Sequence, residues 1–192
     1  MPRTSERGGP QTRARILEVA NRLFLERGYE GVTVAEVARE AGVSSVTVFN
    51  HFPRKEDLFM DRAADAVDLL RSAVRVPGVD ALTSLRDLSF RLFDERHPLS
   101  GVNDHSVPFF RTVAESPALI ARARAIAYEL QQTLADELDE TLLAAFFIAG
   151  YSTVMTETAR RLIAGEPRAA VVKDHRVRLD RLFTALRHGL AP

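Results

Sequence analysis

Four short polar side chains, Ser44, Ser45, Thr47 and Asn50, fall close together around and just after the turn Ala41-Gly42-Val43-Ser44. Hydroxyls and a carboxamide can exchange hydrogen bonds with base edges or with phosphate oxygens. His51 ends the same stretch, where an imidazole packs or bonds a phosphate. Lys55 follows at the start of the next expected helix, a position that suits a phosphate ligand. Thr33 is similarly placed at the start of the preceding helix. No arginine or lysine occurs between Ser44 and Pro53. Bidentate reading of guanine by arginine is therefore not available from this stretch. The expected chemistry is phosphate contact and shape recognition, with few base pairs read directly.

These side chains need a helix-turn-helix to present them. Thr33 and Glu36 form a capping box that opens one helix, with Val34, Val37, Ala38 and Ala41 facing inward. Gly42 ends it, and Ser44 caps a short helix running to about Phe52. Two helices meeting at a steep angle need a glycine in the turn, a small residue at the crossing (Ala38) and a filler for the corner (Val43). The second helix can then enter a major groove. On this segment alone, an ordinary helical hairpin inside a core satisfies the same pattern. Upstream, Ile16, Leu17, Ala20, Leu23 and Phe24 share one face of a helix expected from Gln11, with Gly28 as its stop. Residues 1–10 show no periodic pattern and are expected to be a disordered arm. Arg3, Arg7 and Arg13 are candidates to reach a neighbouring minor groove.

The run from Arg15 to Leu58 resembles the TetR family of regulators. The resemblance rests on Arg15-Ile16-Leu17-Glu18-Val19-Ala20-Asn21-Arg22-Leu23-Phe24, then Glu26-Arg27-Gly28-Tyr29, then Thr33 to Ala38 and Ala41 to Ser44. It closes on Thr47-Val48-Phe49-Asn50-His51-Phe52-Pro53-Arg54-Lys55-Glu56-Asp57-Leu58. Two positions depart from the usual pattern: Val46 stands where glycine is common, and Phe49 where a tyrosine hydroxyl can bond a phosphate. The resemblance implies a homodimer on double-stranded operator DNA, by default a repressor, released by an unknown and largely apolar small-molecule effector. The DNA-binding residues it implies are Thr33, Ser44, Ser45, Thr47, Phe49, Asn50, His51 and Lys55. Effector and operator are expected to favour different separations of the two reading heads.

The remainder also reads as helical. The fold class is all-α, with about nine helices by periodicity and no strand alternation. A fourth helix is expected to run unbroken from Pro53 to beyond Ala73, as the connector between two domains. Expected boundaries are an arm over 1–10, a DNA-binding domain over 11–56, and a ligand-binding and dimerisation domain over 57–192. The resemblance places the effector pocket among helices four to eight. Phe90, Phe93, Phe109, Phe110, Tyr128 and Tyr151 are the aromatic candidates, with His97, His105 and Arg111 as polar ones. For each aromatic, plain core packing is the competing reading. The loop from Arg96 to Ser106 is a candidate cover for the pocket mouth. Wide apolar stripes mark the last two helices. The resemblance implies that they pair across a two-fold axis, with Phe147, Tyr151, Val154, Leu179, Leu182, Phe183 and Leu186 as candidates; part of the stripe, Phe146 and Phe147 above all, equally fits the chain's own core.

The chain has 192 residues, 46% of them hydrophobic and 27% charged, with a net charge of +0. Any charge that binds DNA must therefore be local. Absence of cysteine excludes disulfides, thiolate metal sites and cysteine nucleophiles, and suits the cytoplasm. No nucleophile elbow, phosphate-cradling glycine loop or paired histidine appears, so no catalysis, cofactor or metal is expected. The longest apolar run, Leu142 to Tyr151, is half the ~20 residues of a spanning helix, and no membrane role is expected. Two other classes stay open: an all-α enzyme for a small hydrophobic substrate, and a protein-interaction adaptor that has lost DNA binding.

Overall fold

A computed structural model describes residues 9–189. Arg3, Arg7 and most of the expected arm lie outside the described residues. Among those described, the chain forms ten α-helices and one 3-10 turn and divides into two compact units between Asp61 and Arg62.

The first unit holds α1 (Gly9–Arg27), α2 (Val34–Glu40), α3 (Ser45–His51) and α4 (Lys55–Phe59). The first helix starts at Gly9, two residues before the expected Gln11, so the end of the arm is helical. Ile16, Ala20, Leu23 and Phe24 are buried from α1, Val37 and Ala38 from α2, Val48 from α3 and Leu58 from α4. Carboxylates clip α1 to α2: Arg27 meets Glu36 at 2.9 Å, and both Arg22 and Arg27 face Glu40. These exposed pairs orient more than they stabilise. Gly31 marks a close approach, because a Cβ there would lie 2.6 Å from the Arg27 carbonyl oxygen.

The expected fourth helix is broken. Its residues form α4 and α5 (Ala63–Val74), interrupted at Met60–Arg62. This accounts for ten helices where periodicity suggested about nine.

The second unit continues with α6 (Ala81–Asp94), the 3-10 turn Pro98–Ser100, α7 (Ser106–Glu115), α8 (Pro117–Leu138), α9 (Thr141–Ile163) and α10 (Arg168–His188). Ser116 caps α8 through the Leu119 N–H, with Pro117 in its first turn. α9 is the one described helix long and apolar enough to cross a membrane by length and composition. Here it packs against α8 and α10, burying Ala144, Phe147, Ile148, Val154 and Leu162. At Gly150 a Cβ would run into the Leu182 side chain, so α9 and α10 pack closely there.

One polar cluster is sealed into this unit. His175 is fully buried, its ring stacked 5.4 Å from Phe93. Its Nδ1 lies 2.8 Å from Thr158 Oγ1. The Thr158 hydroxyl donates to the Val154 carbonyl at 2.9 Å and accepts from Arg178 at 3.0 Å. With that proton committed, His175 Nδ1 must be the donor, and Nε2 is left without a partner. Burial, then the Arg178 charge, lowers the imidazole pKa from 6.5 to about 4. Between those values the unfolded chain takes up a proton that the folded one refuses. The contribution to stability is therefore complete above pH 6.5 and is lost as pH falls towards 4. Urea unfolding is expected to show a loss of about 2 kcal/mol between pH 7 and pH 5 from this group. The drop should shrink by that amount in His175→Gln; an unchanged drop would remove His175 as its cause.

Candidate nucleic-acid interface

Two caps and one buried side chain set the geometry of α3. Ser44 Oγ accepts from the Thr47 N–H at 3.0 Å and lies 2.9 Å from Thr47 Oγ1. Gly42 takes φ +65°, the left-handed turn that glycine permits most cheaply. The Val43 N–H donates to the Ala38 carbonyl at 2.9 Å, closing the corner. Val48 is 0% exposed. Helical spacing then turns Val46, Phe49 and Asn50 to the opposite side. Val46 is 68% and Phe49 48% exposed, and Asn50 is exposed beside them.

The candidate residues divide accordingly. Phe49 and Asn50 stand outward, Ser44 is exposed, and Ser45 and Thr47 are half-buried at the flanks. The Ser44 and Thr47 hydroxyls are committed to each other and to the cap. Thr33 is exposed but also committed: its hydroxyl and its N–H both donate to the Glu36 carboxylate at 2.8 Å. Those bonds, with Arg27 beside them, hold the Glu36 pKa down. His51 is half-buried, tilted against the Phe52 ring at 6.4 Å. Lys55 places its ammonium 4.1 Å from the Tyr29 ring centroid. Burial lowers its pKa, so it is neither a freely solvated lysine nor a fully extended one. Arg13, a minor-groove candidate, instead lies over the Phe52 ring at 4.9 Å and donates to the Asp61 carbonyl.

Val46 is the outward residue that the choice of polar candidates missed. Its signal was present in the sequence, two positions before the inward Val48.

The second unit brings together few of its candidate ligand residues. Phe93 is buried on His175. Phe90 is half-buried between Arg86, at 4.7 Å, and Arg176, at 5.1 Å. It borders a cavity of about 610 Å³ beside α6, walled also by Val76, Val79 and Leu88; none of the other eight candidates lines that cavity. His97 Nδ1 accepts from the Leu99 N–H, capping the 3-10 turn. His105 and Arg111 are exposed, and Tyr128 is 62% exposed. Phe109 and Phe110 meet edge to face at 5.8 Å. Tyr151 packs on Phe147 and donates to the Leu99 carbonyl at 3.4 Å; burial raises its pKa to about 12. The loop expected as a cover is fastened down: Ser100, Gly101 and Val102 are buried, and Arg168 donates to the Val102 carbonyl.

The dimer candidates divide by burial. Phe147, Val154, Leu179 and Phe183 are buried within the chain's own core, so their side chains have no surface to offer a second copy. Tyr151, Leu182 and Leu186 are half-buried. The outward apolar residues of these helices are Leu142 and Phe146, 64% and 61% exposed, and Val177 at 43%.

A capped helix-turn-helix with an outward short helix, joined in one chain to an all-helical second unit, defines the class: an all-α helix-turn-helix protein. Residues 16–61 match the family model described as bacterial regulatory proteins, tetR family. It is 33% identical over 99 residues to the HTH-type transcriptional regulator TtgR of Pseudomonas putida, covering 50% of this chain and 47% of that protein. It is 38% identical over 88 residues to the HTH-type transcriptional repressor AcnR of Corynebacterium diphtheriae, covering 46% and 45%. The chain thus spans about half the length of the curated relatives it matches. Among solved structures it resembles FadR of Thermus thermophilus, a TetR family transcriptional repressor solved with lauroyl-CoA. That match has TM-score 0.55 and 26% identity over 94% of this chain and 95% of that one.

The cap and the outward carboxamide should separate in a stability measurement. Ser44→Ala is expected to lower the unfolding free energy by about 1 kcal/mol. Asn50→Ala should leave it within about 0.5 kcal/mol. Equal losses in urea titrations would assign Asn50 a structural role.

Proposed function

We propose that this chain is a cytoplasmic transcriptional repressor that binds operator DNA as a homodimer and is released by a small-molecule effector. The observation that carries the reading is α3: it is held by its caps and by Val48, while Val46, Phe49 and Asn50 face solvent. A helical hairpin serving only as core would bury that face. The relatives point the same way, because TtgR and AcnR are named regulator and repressor and each matches about half of this chain. Thr33, Ser44, Ser45, Thr47, Phe49, Asn50, His51 and Lys55 remain the proposed contact set, with Val46 added. The engaged hydroxyls of Thr33, Ser44 and Thr47 act mainly by holding backbone N–H groups and neighbours in place.

Pairing is assigned to the outer faces of α9 and α10, through Leu142, Phe146 and Val177 in place of the buried residues. Two reading heads about one helical turn apart, ~34–36 Å, then meet successive half-sites. The effector is assigned to the second unit, where the cavity beside α6 falls in the size range of small-molecule sites. Its lining joins Val76, Val79, Leu88 and Phe90 to Asp87, Arg91, Asp94 and Glu95, which suits a ligand with an apolar body and a polar end; lauroyl-CoA, in complex with Thermus thermophilus FadR, has both. Along the chain the two units join at Met60–Arg62, where the helix is interrupted.

A salt-titrated binding assay tests the function on a duplex selected by the protein from a randomised pool. The expected result is sequence preference with a steep fall of log K against log salt. Equal binding to a scrambled duplex, or a flat slope, would reject it in favour of an adaptor. For the dimer, Phe146→Glu is expected to give a folded monomer in sedimentation with weakened operator binding. A variant that stays dimeric would move the interface elsewhere.

A further inference from the structure

The outward face of α3 carries two apolar side chains and no cation. Val46, Phe49 and Asn50 share that face, and Val46 is the most exposed of the apolar pair. From Ser45 to His51 the helix contains no arginine or lysine. The cations that follow the helix in sequence are placed differently. Lys55 sits over Tyr29, and Arg54 is at the start of α4, its backbone N–H donating to Asp57. His51 is half-buried against Phe52.

Set in a major groove, such a face lacks the donors that guanine O6 and N7 require. A·T pairs alone offer an apolar group there, the C5-methyl of thymine. A carboxamide beside it matches the N6 donor and N7 acceptor of adenine, the partner of that thymine. Placing Val46 or Phe49 against a guanine or cytosine edge would desolvate polar atoms without replacing their hydrogen bonds. The same face therefore attracts T·A pairs and penalises G·C pairs.

We propose that Val46 and Phe49 are specificity-determining residues that recognise thymine C5-methyl groups, so that the half-site under α3 is built on T·A pairs, with Asn50 reading the adenine edge. This rests on the DNA-binding reading above and goes beyond it, because it names the base and the chemical group selected.

Deoxyuridine differs from thymidine only by that methyl group and pairs identically with adenine. The test uses the best-bound duplex from the randomised pool and replaces its thymines by uracil one at a time. Affinity of the full chain is measured by fluorescence anisotropy at fixed salt. At one or two positions per half-site, loss of the methyl is expected to weaken binding by about three- to five-fold. Val46→Ala and Phe49→Ala should each abolish the thymine-over-uracil penalty at one position, whatever each does to the overall affinity. Both residues lie on the surface, and thermal unfolding of each variant confirms that it folds. If the duplex is bound with sequence preference but uracil is tolerated at every position, the proposal is overturned and the DNA-binding reading stands. A penalty that persists in both variants also overturns the assignment. If no duplex is selected from the pool, the DNA-binding reading itself fails.

Discussion

The burial of Val48 governs what the first unit can present. A seven-residue helix cannot hold itself in water, because nucleation costs more than so few hydrogen bonds return. α3 exists because Val48 is anchored in the core, Phe52 closes its far end at 2% exposure, and Ser44 satisfies its first turn. Once one side chain of a single helical turn is fixed inward, the others have no freedom of direction. Val46, Phe49 and Asn50 face out for the same reason that Val48 faces in. The surrounding devices serve this placement. Gly42 sets the angle of the turn, the Thr33–Glu36 box starts α2 at the right residue, and arginines of α1 hold the α2 carboxylates.

Local signals made this part of the fold legible. Caps and glycine stops depend on a few neighbouring residues, so Thr33, Gly42, Ser44 and Ser116 could be read directly from sequence. What could not be read was how polar atoms near the tip would be spent. Hydroxyls at Ser44 and Thr47 look alike in sequence, whether they bind a partner or each other. The Lys55 ammonium over Tyr29 depends on a residue far along the chain. The interruption at Met60–Arg62 has no proline or glycine to announce it and lies within a continuous apolar stripe, so periodicity alone joins α4 to α5.

The second unit shows a different limit. Area buried against the same chain and area buried against another copy are equivalent in the hydrophobic term. An apolar stripe therefore says how much must be covered, but not by what. Adjacent phenylalanines fall on opposite sides of this distinction: Phe147 is 3% exposed in the core, whereas Phe146 is 61% exposed. The two positions are one helical step, about 100°, apart, so the rotation of α9 about its axis decides which of them is covered. The packing of Gly150 against Leu182 helps set that rotation.

These two features bear on each other under the proposed function. A reading face of Val46, Phe49 and Asn50 discriminates weakly, because each methyl contact is worth far less than a bidentate arginine–guanine pair. One such head would select poorly among competing sites. Two heads joined rigidly add their free energies, so their preferences multiply, and phosphate contacts supply the non-specific affinity that brings both to the duplex. A chain that has given up cations on its recognition helix thus depends more on its pairing surface than one that retains them. The exposed Leu142 and Phe146 then belong to sequence selectivity as much as to assembly. An effector that altered the spacing of the heads by a small amount would remove the multiplication and leave only the weak single-head preference.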